Sequence, residues 1–175
     1  MKNQHFINFL DKNLSKSSDS DRLVWAKKII DDKIDLVELI NYFLDQKTSN
    51  RFFWLLSNIG QLYPVKLHGV LAYIFENRDQ INLENKEATL ANYFLLAGVP
   101  IEKESEVIDL LFEWIESKKM NVTTKSRSIQ VLKNQVLKYP DLENEFQTCL
   151  EDQLGKYSAD FDKKIRKALL SLDLN

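Results

Sequence analysis

Few residues in this chain could do chemistry by themselves. There is one cysteine, Cys149, and there are two histidines, His5 and His68. A single thiol excludes an intramolecular disulfide framework and a thiolate-rich zinc site, and two histidines are too few for a histidine-rich metal centre. Cys149 shares a helical stripe with Leu142, Phe146, Leu150 and Leu154, the register of a buried and inert thiol. His68 lies in Lys66-Leu67-His68-Gly69-Val70, a setting in which histidine is more often a hydrogen-bonded residue than a base. Glu102, Glu104 and Glu106 crowd together. A carboxylate pair working as acid and base, however, needs two different environments, which come from the fold rather than from spacing. No glycine-rich phosphate loop, G-x-S-x-G, H-E-x-x-H or C-x-x-C occurs. The expectation is a chain with no catalytic residue, no metal and no cofactor.

Charge is the feature with pattern. The chain carries 24 basic and 26 acidic residues, a net charge of −2, yet the two signs are segregated along its second half. Residues 101–116 hold six acids against Lys103, and residues 117–140 hold six bases and no acid. Residues 141–152 hold five acids and no base, and 156–167 hold five bases against two acids. Glu102, Glu106, Asp109, Glu113 and Glu116 fall at steps of 4, 3, 4 and 3, one ridge of a helix opposite the stripe of Val107, Leu111 and Ile115. Asp141, Glu145 and Asp152 form a parallel ridge further on. The candidate binding residues are therefore Glu106, Asp109, Glu113, Glu116, Glu145 and Asp152. Such a ridge attracts basic peptides and repels phosphates. A plain solvated face has the same pattern, since charge opposite an apolar stripe is how any soluble helix looks. Trp54, among Asn50, Ser57, Asn58 and Gln61, is a candidate aromatic anchor, or else a residue that packs on a neighbouring helix pair.

These residues must be positioned by helices. Four glycines and three prolines among 175 residues are too few for a sheet fold rich in turns. Apolar residues recur at helical spacing instead, as in Phe52, Leu55, Leu56, Ile59, Leu62 and Tyr63, and in Phe161, Ile165, Ala168, Leu169 and Leu172. About ten helices and no strand are predicted. Residues 67–75, 90–97 and 107–115 are apolar on more than one side, which implies neighbours on both flanks. Asp19-Ser20-Asp21 is expected to cap a helix over 21–32, Asp35 the next, and Ser158 the last, with Ser49-Asn50 ahead of the stripe from Phe52. No connection is long enough for an interdomain linker, so a single domain over 1–175 is expected.

The prolines suggest how the helices are arranged. Pro64, Pro100 and Pro140 each fall between two helical stripes, 36 and 40 residues apart. A proline ends one helix and is tolerated in the first turn of the next. Residues 125–172 add an amphipathic helix, then Lys138-Tyr139-Pro140-Asp141-Leu142-Glu143, an acidic helix, and Phe161-Asp162-Lys163-Lys164-Ile165-Arg166-Lys167-Ala168-Leu169-Leu170. This resembles HEAT-like, armadillo-type repeats, and Arg22-Leu23-Val24-Trp25-Ala26 is similar to the same kind of helix; residues 83–97 lack the usual charged positions. The resemblance implies an all-α fold, an α-α superhelix (HEAT-like α-solenoid) of about ten short antiparallel helices.

It also implies a function class, a non-catalytic protein–protein interaction scaffold that binds on its concave face. Two alternatives stay open. Some HEAT-like solenoids excise alkylated bases from DNA, a role in which Trp54, Trp114 and Asp109 would be cast, but the acidic ridge and a pI of about 5.8 argue against nucleic acid. The other is a homodimer formed through the apolar residues 67–96. The start of the chain has no apolar run of the kind a secretory leader needs, and no stretch approaches the roughly 20 residues of a membrane span. A cytoplasmic protein with a basic protein partner is the expectation.

Overall fold

The structure, a computed structural model, describes residues 4–44 and 46–172, with the backbone alone at Ser49. Among the described residues there are ten α-helices, four short 3-10 turns and no strand. No described helix is long and apolar enough to cross a membrane. The chain divides into two compact units, Met1–Pro100 and Ile101–Asn175.

The first unit holds α1 (Gln4–Asn13), α2 (Asp19–Asp31), α3 (Leu36–Phe43), α4 (Ser49–Leu62), α5 (Pro64–Glu76) and α6 (Lys86–Ala97). Its centre is α4, which packs on α2, α5 and α6, while α5 also meets α3 and α6. Phe52, Phe53, Leu55, Leu56 and Ile59 of α4 are completely buried. At about 2 kcal/mol for each such side chain this amounts to on the order of 10 kcal/mol of favourable transfer. An N-cap is worth about 1 kcal/mol, and Thr48 at the start of α4 makes no side-chain cap bond. Burial therefore holds α4, with the Ser49 side chain outside the described residues. Gly60 allows the close approach of its neighbours, because a Cβ there would lie 2.5 Å from Leu67 Cδ2 and 3.1 Å from Leu96 Cδ1. The fully buried Tyr93 of α6 donates its hydroxyl to Phe53 O at 2.5 Å, so it satisfies itself on the backbone of α4.

The second unit holds α7 (Glu104–Glu116), α8 (Val122–Lys138), α9 (Glu143–Gln153) and α10 (Ala159–Leu170). Here α8 is central, packed against α7, α9 and α10, and α7 also meets α9. Val107, Leu111 and Ile115 of α7, Ile129 and Leu132 of α8, Phe146 and Leu150 of α9, and Phe161 and Ile165 of α10 fill the core.

The helix ends follow the sequence closely but not everywhere. Asp35 caps α3 by accepting from Val37 N at 2.8 Å, and Ser158 caps α10 by accepting from Phe161 N at 3.3 Å, both as expected. The cap of α2 is Ser18, not the expected Asp19-Ser20-Asp21. Ser18 Oγ accepts from Asp21 N while Asp21 Oδ2 accepts from Ser18 N, a reciprocal box that starts the helix two residues earlier. All three prolines stand at helix junctions. Tyr63-Pro64 and Tyr139-Pro140 share one backbone geometry, with the tyrosines at φ −139°, ψ 67° and φ −128°, ψ 84°. In each, the tyrosine amide closes the preceding helix at 2.7 Å, onto Ile59 O and Gln135 O respectively. A following proline disfavours the α region for the residue before it, and both tyrosines lie outside that region. Pro100 instead follows Gly98, which ends α6 at φ 84°.

Candidate functional site

All six acids of the expected ridge are exposed. Glu106 accepts from Lys103 at 3.1 Å, and Asp152 accepts from Lys156 at 2.6 Å and from Gln153 Nε2 at 2.9 Å. The Lys156 hydrogen bond and charge hold the Asp152 carboxyl below its usual range. Asp109, Glu113, Glu116 and Glu145 make no ion pair among the described residues. The helices that carry these acids, α7 and α9, pack together. Cys149 records how closely. Burial first, then the charges of Glu116 and Asp152, with a smaller contribution from Glu145, push its thiol up to about 12. The thiol is buried on α9, the position its register implied, and a thiol held this high stays protonated at neutral pH.

Beneath them lies a residue that the charge pattern concealed. Lys125, counted among the bases of a surface helix, is completely buried. Its Nζ donates to Ile115 O at the C-terminal end of α7, lies 3.5 Å from Gln153 Oε1, and sits 5.0 Å from the Tyr157 ring centroid. A cation at the end of α7 is favoured by the unpaired carbonyls there. The signal was present in the register: Lys125, Ile129, Leu132 and Val136 are spaced 4, 3 and 4 apart on one face of α8. The six bases counted over 117–140 therefore do not make one solvated face, since Lys125 serves the core and Lys138 pairs with Glu104 at 2.6 Å.

Glu104 shows what became of the crowded glutamates. Burial raises its carboxyl, but the hydrogen bonds from Lys138 and Tyr139 outweigh it and leave the pKa lowered. Tyr139 donates at 2.5 Å, so this carboxylate joins the start of α7 to the end of α8. A general acid needs the opposite shift. His68 places Nδ1 2.9 Å from Ala97 O, a structural bond between α5 and the end of α6. No group of three or more potential metal ligands occurs among the described residues.

Trp54, in the first unit, is 44% exposed. The guanidinium carbons of Arg51 and Arg22 lie 4.6 and 5.4 Å from its ring centroid. Arg22 is itself buried and donates to Ser17 O at 3.0 Å and to Asp19 Oδ1 at 3.2 Å. Asn58, expected on the polar side of α4, is buried too and donates to the same Asp19 oxygen at 3.2 Å. The tryptophan thus joins a cluster between α2 and α4 in which Arg51 follows from helical spacing and Arg22 does not. The apolar residues 67–96 suggested as a dimer surface are largely covered within the chain, with Leu67, Leu71, Ile74, Phe75, Leu90 and Phe94 all buried.

Trp114 is buried, and Asp109 stands exposed on a different face of α7. No protein-family model, curated protein or solved structure matches the chain.

Proposed function

We propose that the chain is a non-catalytic, HEAT-like interaction module of the cytoplasm, which takes a basic segment of a partner protein on the acidic ridge of α7 and α9. The observation that carries this reading is the set of exposed acids without ion-pair partners among the described residues, Asp109, Glu113, Glu116 and Glu145. Unpaired like charges on a packed helix pair repel one another, and a basic partner relieves that repulsion.

The helical-repeat arrangement has its own support. Within each unit, helices two apart in sequence touch: α2 with α4, α4 with α6, and α3 with α5 in the first, α7 with α9 and α8 with α10 in the second. A stack of helix pairs has this signature, because alternate helices belong to the same layer. The matching Tyr63-Pro64 and Tyr139-Pro140 junctions add a recurring local geometry.

The test is capture from native cell lysate on the immobilised protein, beside a variant carrying Glu113→Lys, Glu116→Lys and Glu145→Lys. The expected result is a defined basic partner, lost in the variant and at high salt. The same partners on both baits, or nucleic acid in the eluate, would refute the reading.

A further inference from the structure

The first unit has a second feature suited to binding, independent of the acidic ridge. A cleft of about 420 Å³ opens where the end of α2, the start of α3 and the start of α5 meet. Its apolar walls are Ile29, Ile30, Ile34, Leu36, Val65 and Val70. Most of these belong to the core, but Val65 is 82% exposed, a β-branched residue standing at the lip of an apolar cleft. Gly69 leaves the cleft open, because a Cβ built there meets nothing within 4 Å.

Two cations complete the lining, Lys33 and Lys66. Both are exposed and neither makes an ion pair among the described residues. No carboxylate lines the cleft. Of the nearby acids, Asp32 is held by Lys28 at 2.6 Å and Asp35 is turned to cap α3. Lys33 also has a backbone that argues for its side chain. It ends α2 at φ 53°, with Ile34 N closing onto Ile29 O at 2.9 Å. That left-handed position favours glycine, or asparagine after it, so a lysine there carries a backbone cost. Such an outlier points to use of the side chain.

We propose that this cleft docks an acidic amphipathic segment of a partner protein, whose apolar side chains enter between Val65 and Ile34 while its flanking carboxylates pair with Lys33 and Lys66. Helices that lay an apolar face into a groove bind in this way. The two unpaired cations select the sign of the flanking charge.

The experiment uses the full chain and a fluorescein-labelled designed peptide, an amphipathic helix with leucines on one face flanked by glutamates, with a lysine-flanked counterpart as control. Fluorescence anisotropy is expected to show saturable binding of the glutamate peptide only. Lys66→Glu should weaken it about tenfold, and Gly69→Phe, which fills the cleft, should abolish it. Lys33→Gly should weaken binding while raising the melting temperature, because the backbone is relieved as the charge is lost. If Gly69→Phe fails to fold by circular dichroism, the exposed Lys66→Glu still decides. Absence of saturable binding, equal binding of both peptides, or affinity unchanged in Lys33→Gly and Lys66→Glu overturns the proposal. So does displacement of the peptide by dodecanoate at lower concentration than unlabelled peptide, or concentration-dependent self-association that Gly69→Phe removes.

Discussion

Replacing Lys125 separates what its charge does from what its volume does. In Lys125→Met the stem is retained and the amine removed, so Ile115 O and Gln153 Oε1 lose their donor. Two buried acceptors left unmatched cost about 1–3 kcal/mol each, and the contact over Tyr157 adds about 0.5–2 kcal/mol, roughly 5 kcal/mol together at mid-range. Against this, an ion no longer has to be taken out of water, which recovers several kcal/mol of penalty in real proteins. The expected net loss for Lys125→Met is about 1–2 kcal/mol. Lys125→Ala removes three more methylene-sized groups from a fully buried position, at about 0.8 kcal/mol each, and should lose about 3–4 kcal/mol. Urea unfolding reads both. Trp114, buried in α7, serves as the local reporter in a background with Trp25 and Trp54 changed to phenylalanine. A Lys125→Met variant as stable as its parent, at unchanged slope against urea, would refute the idea that the ammonium secures the end of α7.

Two further expectations concern titration. Glu104 has a lowered pKa in the folded chain, so the stability it contributes is present above the unfolded carboxylate value of about 4.3 and is lost as pH falls through the folded one. Glu104→Gln should therefore flatten the acid limb of a stability–pH profile below about pH 5; an unchanged limb would exclude the Glu104–Lys138–Tyr139 clasp as its source. For Cys149, a thiol at about 12 is ionised to only about one part in ten thousand at pH 8, so native protein should resist iodoacetamide and react once unfolded in urea. Rapid labelling of the folded chain would show that the sulfur is not covered as described.

Where the amino-acid order revealed the structure, it did so through repeated signals. Four residues of the stripe read on α4, Phe52, Leu55, Leu56 and Ile59, are fully buried, and only its end departs, with Leu62 exposed. Asp35 and Ser158 were readable as caps because a side-chain oxygen at that spacing has one obvious amide to accept from. Ser18 was missed because three candidate caps follow it directly, and the choice rests on the reciprocal bond from Asp21. Lys125 and Arg22 were missed for a deeper reason. A charged residue is read as solvent-facing by default, whereas these two are buried by partners far along the chain, such as Gln153 for Lys125. The ridge acids were placed correctly on exposed surface, since charge opposite an apolar stripe has nowhere else to go. Of the two cations beside Trp54, Arg51 stands three residues before it on the same helix and was legible, whereas Arg22 lies 32 positions away on another helix.

The Tyr63-Pro64 junction has a mechanical consequence. Leu62 ends α4 and Pro64 begins α5, so a single residue makes the turn, with φ limited by sterics on one side and by the proline ring on the other. One residue inserted after Pro64, inside α5, would turn the rest of that helix by about 100° and swing Leu67, Leu71 and Ile74 out of the core they now fill. A connection of one residue leaves little slack between two helices that also pack together, so α4 and α5 are expected to move as a pair. Length variation among natural or engineered versions of this chain should therefore collect in the connections 82–85 and 117–121, where several residues share each turn.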